Sequence, residues 1–386
     1  MTCRDRLNPP TIFCAGILVA LALAACGSGT TTGAFPGSQN GTASGIALNP
    51  GATPTPAPAP RTTPAPVATA TATPAAGASA SYAPLGQTGP ALSVPAAQLA
   101  ASLSCTPNVA TSASTTILLV PGTTLTPSVN FSWNYERAFS ANAIPWCAVT
   151  LPDNAMADIQ TAGEYVVYAI RSVAALSGKK IDILGYSQGG MVPRWALRFW
   201  PDTRRLVIAY VGLDPSNHGT IDAYPACAAG CAPALWQQQT GSHFLAALNS
   251  GAETFAGIAY TVVYSDTDEV VVPNLPVDSS SSLSGGGGAI ANISVQSICP
   301  TDVSDHLAMG SYDPVGYALA LDAYTHAGLA SASRIPLSTC HETLQPGVDA
   351  AAFPINYANY LAYVANTLAT TPFVSAEPTL APYVYP

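Results

Sequence analysis

The feature that most constrains the fold of this chain is a serine in a glycine-rich turn between a strand-like and a helix-like segment. Residues 181–184 are rich in β-branched side chains, Gly185-Tyr186-Ser187-Gln188-Gly189 follows them, and residues 191–200 space their apolar side chains as a helix does. A G-x-S-x-G pentapeptide needs this context, because the tight turn lifts the serine Oγ clear of the backbone and the glycines avoid Cβ clashes with the strand and the helix. The pattern favours Ser187 as a nucleophile over a glycine-rich loop without chemistry.

A serine nucleophile needs a base to take its proton and a carboxylate to orient that base. All five histidines follow Ser187, which agrees with the order serine, acid, histidine along the chain of α/β-hydrolases. His306 lies late in the chain after the strand-like residues 293–298, in the loop position that the base occupies in this fold. Of the other histidines, His341 is the competitor and His243 and His326 are expected to be structural. His218 lies in a turn too close to Ser187 to follow an acid in this order.

Three aspartates at the ends of strand-like segments are candidates for the acid. Residues 260–264 have the pattern of a buried strand that ends just before Asp266 and Asp268, which would point the same way if this segment were extended. Asp214 follows the strand-like residues 206–213. Open α/β sheets gather active-site loops at the carboxyl ends of their strands, so the residue pattern leaves all three aspartates open.

The N-terminus has the form of an export signal. Arg4 and Arg6 precede an apolar stretch, residues 11–25, that is too short to span a bilayer with ordinary flanks. The stretch ends in Leu23-Ala24-Ala25-Cys26, which resembles the bacterial lipobox and makes Cys26 the candidate lipid anchor. The alternative is an ordinary cleaved signal and free secretion.

Composition divides the rest of the chain into a spacer and a folded part. From residue 27 to about residue 90 the chain is mostly Gly, Ser, Thr, Ala and Pro, a composition that cannot bury a core and that predicts an extended, disordered tether. We see no internal repeats in the remainder. The predicted organisation is a signal peptide over residues 1–25, a lipid-anchored linker over residues 26–90 and one catalytic domain over residues 91–386.

The charge balance restricts the partners of this chain. The formal net charge is -9 and only 9% of the residues are charged, so the chain offers no basic surface for nucleic acid and would repel anionic surfaces. A neutral, apolar or small partner fits this balance better.

Several ordered stretches of the chain together resemble the Candida antarctica lipase B-like family. The similarity runs from about Leu92 to about Tyr383. The matching stretches are residues 117–123, Ser187-Gln-Gly-Gly190, Trp236-Gln-Gln238, residues 264–270 with Pro273, Asp305-His306 and residues 377–383. The resemblance implies an α/β-hydrolase fold, in which helices flank a mostly parallel central sheet, with a small lid-like insertion.

Carried over residue by residue, the resemblance implies the roles of three side chains. Ser187 would be the nucleophile, His306 the base and Asp268 the acid. Asp266 stands where the relatives have no carboxylate, and His341 has no counterpart in this role.

The resemblance also implies which residues surround the reacting ester. The oxyanion hole would consist of Thr123, through its backbone and hydroxyl, and of the backbone N–H of Gln188. Asp214 and Gln238 match polar positions that line the pocket of the family. Tyr186 replaces the tryptophan that precedes the nucleophile there and shapes the alcohol-binding side.

The cysteines predict disulfides. Cys105, Cys147, Cys227, Cys231, Cys299 and Cys340 make an even set, which indicates three disulfides in an exported protein but allows fifteen pairings. The resemblance implies the pairs Cys105–Cys147 and Cys299–Cys340 and leaves Cys227 with Cys231.

Cys227 and Cys231 fall in an insertion, residues 221–233, where the relatives carry a small mobile lid helix. We hypothesise that a Cys227–Cys231 bridge stiffens the pocket entrance; the alternative is a surface cystine loop without effect on access.

The leading prediction is a lipase or carboxylesterase that hydrolyses acylglycerols or other apolar esters through an acyl-enzyme. The same residues would serve a depolymerase of extracellular polyesters or an acyltransferase on envelope lipids. An alternative from another class is a non-catalytic envelope-binding lipoprotein. We expect no metal ion and no organic cofactor, and we expect a monomer whose partners are its ester or lipid substrate and, through Cys26, a membrane.

Overall fold

The structure is a computed structural model that describes residues 81–326 and 328–386. The predicted signal peptide, Cys26 and the predicted linker as far as residue 80 lie outside the described residues. No helix within residues 81–326 and 328–386 is long and apolar enough to cross a membrane.

A mostly parallel sheet forms the centre of the described part. The strands are β1 (Leu103–Cys105), β2 (Ile117–Val120), β3 (Trp146–Val149), β4 (Ile181–Tyr186), β5 (Val207–Leu213), β6 (Ala259–Tyr264), β7 (Asn274–Leu275), β8 (Asp278–Ser279) and β9 (Ala289–Ser294). The main sheet has the order β1-β3-β2-β4-β5-β6-β9, in which β1 runs antiparallel to β3 and the other neighbours are parallel. A small hairpin of β7 and β8 lies outside it. The predicted fold class is confirmed.

The helices connect these strands. They are α1 (Ala96–Ala101), α2 (Pro127–Asn130), α3 (Tyr135–Ala141), α4 (Ile159–Ser177), α5 (Gln188–Phe199), α6 (Ala223–Ala226), α7 (Pro233–Gln237), α8 (His243–Leu248), α9 (His306–Met309), α10 (Pro314–Thr325) and α11 (Phe353–Thr370). Single 3₁₀ segments span Pro152–Ala155, Pro201–Leu206, Val295–Ser297, Ala332–Arg334, Leu337–His341 and Pro382–Val384.

The two faces of the sheet pack into two separate cores. Leu118 and Val120 of β2 belong to one core, with apolar side chains of α4 and α5, whereas Ile117 and Leu119 belong to the other, with side chains of α10. Successive residues of a strand point to opposite faces, so an unbroken apolar strand must be covered on both sides. All six residues of β4 are buried for this reason, and β4 is therefore a rigid support for the turn that follows it.

Two predicted element bounds differ from the structure. Residues 293–298 were expected to form a strand, but β9 ends at Ser294 and a 3₁₀ segment, Val295–Ser297, follows. Val295 and Ile298 are both buried, and their spacing of three residues suits a helical turn, not an extended strand. The helix after the serine begins at Gln188, three residues earlier than the apolar spacing predicts, and ends at Phe199.

The folded part begins before residue 91. Ala83 is buried, and its N–H donates to the carbonyl of Val384 at 2.8 Å. Arg198 Nη2 donates to the carbonyl of Ala83 at 2.6 Å, and Trp200 Nε1 donates to that of Pro90 at 2.9 Å. Residues 81–90 thus pack on the domain, because buried donors of the domain find their acceptors there, although their composition resembles that of the linker.

Three disulfides connect the six cysteines of the described part: Cys105–Cys147, Cys227–Cys231 and Cys299–Cys340. The first joins residues that are directly opposite each other in β1 and β3. The second closes a loop within the insertion at residues 221–233.

Candidate active site

Ser187 occupies the turn between β4 and α5, with φ 55° and ψ −125°. A positive φ is uncommon for a residue with a Cβ and marks local backbone strain. A Cβ added to Gly185 would lie 2.0 Å from the carbonyl oxygen of Gly189, so the turn can close only with glycine at this position. The N–H of Ser187 donates to the carbonyl of Leu213 at 2.8 Å. The turn therefore holds the serine at the carboxyl end of the central strand.

His306 lies beside this serine. It is the first residue of α9, and its Nε2 is 3.0 Å from Ser187 Oγ. Its Nδ1 is 2.9 Å from Oδ2 of Asp268, in the loop after β6. All three side chains are buried. A hydroxyl, an imidazole and a carboxylate in this row can pass a proton from the hydroxyl to the imidazole, while the carboxylate fixes the tautomer of the ring.

Asp268 is held by donors on both of its oxygens. Oδ1 accepts the N–H groups of Val270 and Val271, each at 2.8 Å, and Oδ2 accepts Asn274 Nδ2 at 3.2 Å in addition to His306. These bonds fix the direction of the carboxylate toward the ring. Sequence reasoning missed Asn274, because it lies in the two-residue strand β7, where neither a motif nor a periodic pattern marks it.

The backbone of His306 is anchored as well. Its N–H donates to Glu269 Oε2 at 3.1 Å, and its carbonyl accepts the hydroxyl of Tyr186 at 3.0 Å. Burial raises the pKa of Glu269, and the neighbouring His306 opposes this rise. Glu269 follows the acid directly in the chain, but only the folded loop shows that it contacts the histidine.

The electrostatics of His306 result from two opposing effects. Burial by itself lowers the pKa of the imidazole, whereas the charge of Asp268 and the hydrogen bond to it raise the pKa by more. The net pKa lies above the usual value of 6.5. The ring is therefore a stronger base than a free histidine.

The other candidates for acid and base are not part of the hydrogen-bonded chain of Ser187, His306 and Asp268. The N–H of Asp268 donates to the carbonyl of Ser265, so the chain turns here and the two aspartates are not related by a strand period. Asp266 is half-buried, and its N–H donates to Gln296 Oε1 at 2.9 Å. The remaining histidines lie elsewhere: His218 contacts Glu253, His326 contacts Asp322, and His243 and His341 are exposed.

Asp214 follows the last residue of β5 and lies near His306. Its Oδ2 is 4.0 Å from His306 Nδ1, and its Oδ1 accepts the N–H of Ser265 at 2.8 Å and Asn274 Nδ2 at 3.3 Å. Burial, together with the nearby charge of Asp268, raises the pKa of Asp214 well above its usual range. The carboxyl group of Asp214 therefore keeps its proton to a higher pH than an exposed aspartate does.

These acidic groups also bear on metal binding. Among residues 81–326 and 328–386, Asp214, Asp268 and His306 are the one group of His, Cys, Asp or Glu side chains close enough to share a metal ion. The contacts described above already engage Nδ1 of the ring and both oxygens of Asp268.

The predicted oxyanion turn lies against the serine. A Cβ added to Gly122 would lie 3.3 Å from Ser187 Cβ, which shows how closely this turn approaches. The N–H of Gly122 donates to Asn130 Oδ1 at 3.1 Å, and Asn130 Nδ2 donates to the carbonyl of Gly310 at 3.0 Å. Asn130, another residue that the sequence patterns did not single out, thus fixes the turn that carries Thr123.

Two of the predicted residues meet at the hydroxyl of Thr123. Gln188 Nε2 lies 3.3 Å and Gln238 Nε2 lies 3.1 Å from Thr123 Oγ1. Ser216 Oγ donates to Gln238 Oε1 at 2.9 Å. Gln188 is the first residue of α5, so its own backbone N–H has no acceptor within the helix.

Tyr186 is fully buried. Its ring lies 5.0 Å from the ring of His306, centroid to centroid, and its hydroxyl donates to the carbonyl of His306. Cβ atoms added to Gly122 or Gly310 would lie within 3 Å of the tyrosine ring. In the structure Tyr186 supports the histidine, and its contact with substrate stays a prediction.

The chain is similar to known lipases in sequence and in fold. The class 2 lipase family matches residues 154–287. Lipase B of Pseudozyma antarctica is 34% identical over 308 residues, which cover 77% of this chain and 87% of that protein. The crystal structure of Aspergillus fumigatus lipase B superposes with a TM-score of 0.71 at 30% identity, and covers 77% of this chain and 74% of that chain. The chain therefore belongs to the lipase B family and is a serine ester hydrolase.

Proposed function

We propose that the chain hydrolyses carboxylic esters of apolar acids, such as acylglycerols, through an acyl-enzyme formed on Ser187. The observation that carries this proposal is the unbroken row from Ser187 Oγ to His306 Nε2 at 3.0 Å and from His306 Nδ1 to Asp268 Oδ2 at 2.9 Å. Its members come from the ends of β4 and β6 and from the start of α9, three places far apart in the sequence.

In the first half of the reaction, Ser187 Oγ attacks the ester carbonyl carbon while His306 Nε2 takes the hydroxyl proton. The bond between the carbonyl carbon and the alcohol oxygen then breaks, and His306 gives the proton to the departing alcohol. In the second half, a water molecule gives a proton to His306 and attacks the acyl-serine ester. The acid leaves and the proton returns to Ser187.

Asp268 keeps the Nδ1 proton of His306 directed toward itself and stabilises the imidazolium that forms in each half. The negative oxygen of each tetrahedral intermediate would be bound by the backbone and hydroxyl of Thr123 and by the backbone N–H of Gln188. Donors aimed at this oxygen are worth about 2.7–4 kcal/mol each in well-studied serine hydrolases. Asp214 and Gln238 would line the pocket with polar groups, and Tyr186 would shape the alcohol-binding side.

The test compares wild type with Ser187→Ala on p-nitrophenyl esters of short to long acyl chains and on emulsified triglyceride. We expect activity on esters in the wild type and a loss of several orders of magnitude in the variant. His306→Ala should lose as much, whereas His341→Ala, the same change at an exposed histidine, should leave the rate unchanged. Ester hydrolysis that persists in Ser187→Ala would contradict the proposal.

We also propose that the protein is exported and anchored through lipidation of Cys26. The support is the lipobox-like Leu23-Ala24-Ala25-Cys26 after an apolar stretch and three disulfides in the folded part, which suit an oxidising compartment. Expression in a bacterium that processes lipoproteins should place the wild type in the membrane fraction and Cys26→Ser in the soluble fraction. Equal partitioning of the two would contradict the anchor.

A further inference from the structure

The hydroxyl of Thr123 is contacted by two side-chain amides. Gln188 Nε2 lies 3.3 Å from Thr123 Oγ1 and Gln238 Nε2 lies 3.1 Å from it. The two glutamines reach this oxygen from different elements, since Gln188 begins α5 and Gln238 caps the end of α7. Both glutamines are buried, so water does not compete freely for these bonds.

Other hydrogen bonds determine which end of each amide faces the threonine. Gln188 Nε2 also donates to the carbonyl of Ala155 at 2.8 Å, and Gln238 Nε2 donates to that of Ala234 at 3.2 Å. Ser216 Oγ donates to Gln238 Oε1 at 2.9 Å, and in the resting enzyme this oxygen also accepts the Thr123 hydroxyl through a long bond of 3.5 Å. If either amide were turned over, its oxygen would face a carbonyl oxygen. Both glutamines therefore present N–H donors to the hydroxyl.

A hydroxyl has one O–H donor and two acceptor lone pairs. When two amide N–H groups occupy both lone pairs, the oxygen accepts no further bond and its single hydrogen must point to another acceptor. The acceptor that forms beside Thr123 during the reaction is the negative oxygen of the tetrahedral intermediate on Ser187. Because neighbouring hydrogen bonds polarise one another, the two amides also make the threonine hydroxyl a stronger donor.

We propose that the side chains of Gln188 and Gln238 are positioning residues that fix the hydroxyl of Thr123 as a donor to the oxyanion. The inference rests on the proposed attack by Ser187. Gln188 then contributes twice, because its backbone N–H binds the oxyanion and its side chain orients the second donor. When charge develops, the hydroxyl has only to turn its hydrogen from the long bond to Gln238 Oε1 toward the oxyanion, while its oxygen stays fixed by the two amides.

The experiment is a double-mutant cycle between position 238 and position 123. Thr123→Val removes the hydroxyl but keeps the shape, and should lower kcat by roughly 10²–10³-fold. Gln238→Leu should lower kcat roughly tenfold, the effect of one well-placed hydrogen bond, with little change in KM. In the Thr123→Val background the same Gln238→Leu change should cost nothing, because no hydroxyl remains to be oriented.

Gln238→Glu separates orientation from packing. Glutamate has the shape of glutamine, but its carboxylate accepts a hydrogen bond and would turn the threonine hydroxyl away from the oxyanion. If Gln238 only filled space, Glu would be the milder change; we expect it to be more harmful than Leu. The part of the loss that depends on orientation should disappear in the Thr123→Val background, and only repulsion between the carboxylate and the oxyanion should remain.

Gln239→Leu is the matched control. It makes the same chemical change one residue later, at a side chain that donates to the carbonyl of Ala223 in the insertion, and should leave kcat unchanged. Labelling of Ser187 with a fluorophosphonate gives the fraction of folded, competent enzyme in each preparation, so kcat can be expressed per active site.

Each outcome has a different meaning. Equal costs of Gln238→Leu with and without the Thr123 hydroxyl, or no cost at all, would overturn the orienting role. A Thr123→Val variant with unchanged kcat would overturn it too, while leaving the attack by Ser187 intact. Only persistence of activity in Ser187→Ala would contradict the proposed function itself.

Discussion

At the scale of single residues, the two aspartates of the loop after β6 have different contacts. Asp268 accepts from His306, Asn274 and two backbone N–H groups, whereas Asp266 makes no contact with the histidine. Asp268→Asn should therefore lose a large factor in kcat, approaching the roughly 10⁴-fold that the corresponding change costs in a serine protease. Asp266→Asn, the matched change two residues away, should lose less than tenfold. Equal losses in kcat on p-nitrophenyl butyrate would refute the assignment of the acid.

The raised pKa of His306 predicts the pH dependence of activity. The base must be neutral to accept the proton of Ser187, so kcat/KM should fall as the pH drops through the pKa of His306, above 6.5. Asp268→Asn removes the charge that raises this pKa and leaves the burial that lowers it. The acidic limb of the pH profile should then move to lower pH while the maximum falls. A wild-type limb below pH 6.5, or a shift to higher pH in the variant, would contradict this account.

Asp214 predicts a pH dependence of stability. Its pKa is raised well above the ordinary 3.8, chiefly by burial, so the folded chain holds this proton more tightly than the unfolded chain. Stability must fall, by up to about 1.4 kcal/mol per pH unit, as the pH rises from 3.8 toward the folded pKa. Asp214→Asn keeps an acceptor for the N–H of Ser265 and suits the positive φ of 41°. Thermal melts should show that the stability of Asp214→Asn minus that of wild type is larger at pH 7 to 8 than at pH 4. The same difference at both pH values would contradict this explanation.

Single-residue roles were predictable from the sequence to different degrees. Ser187 could be found because its motif, strand and helix are contiguous in the chain. The choice of Asp268 over Asp266 and Asp214 needed the resemblance, because all three follow strands and periodicity does not separate them. Asn274, Asn130 and Glu269 were missed. Their contacts depend on which loops meet at the carboxyl edge of the sheet, and no local pattern contains that information.

At the scale of elements, the insertion at residues 221–233 is held on two sides. At its start, Thr220 Oγ1 donates to the carbonyl of Val270 at 2.6 Å, in the loop that carries the acid. At its end, Cys231 exchanges two backbone hydrogen bonds with Val374, at 3.1 and 2.8 Å. The sequence indicated an insertion with two cysteines, but not that its end would pair with a segment more than 140 residues later in the chain.

The Cys227–Cys231 bridge is expected to affect access more than stability. It spans four residues, against 42 and 41 for the other two disulfides, so it restricts the unfolded chain least. Replacing both cysteines with serine should lower the melting temperature only slightly, and should change kcat/KM for long acyl chains relative to short ones if the insertion gates the pocket. The control, serine at Cys299 and Cys340, should lower the melting temperature more and leave that ratio unchanged. If this ratio is unchanged in the variant with serine at Cys227 and Cys231, the bridge closes a surface loop that has no effect on access.

At the scale of the whole molecule, the unbroken apolar run of β2 requires a sheet covered on both faces, which agrees with the flanking helices that the family resemblance implied. The residue at which the folded domain starts could not be predicted from the sequence. Composition placed residues 81–90 in the linker, because Gly, Pro and Thr dominate it and apolar side chains are few. Their attachment includes backbone carbonyls that accept from Arg198 and Trp200, and every residue type carries a carbonyl, so composition does not reveal these bonds.

This attachment predicts different behaviour for two truncated chains. A chain that begins at residue 81 should match the melting temperature of the full protein. One that begins at residue 91 removes the acceptor of Trp200 Nε1, one of the acceptors of Arg198, and the buried side chain of Ala83. The cost should be roughly 2–4 kcal/mol, or about 3–6 °C in melting temperature for a domain of this size. Arg198 and Trp200 lie eleven and thirteen residues after Ser187, about 16–20 Å along a helical rise, so kcat at low temperature should be the same in both chains. Equal melting temperatures would show that residues 81–90 add nothing to the domain, and a fall in kcat would show that they also support the site.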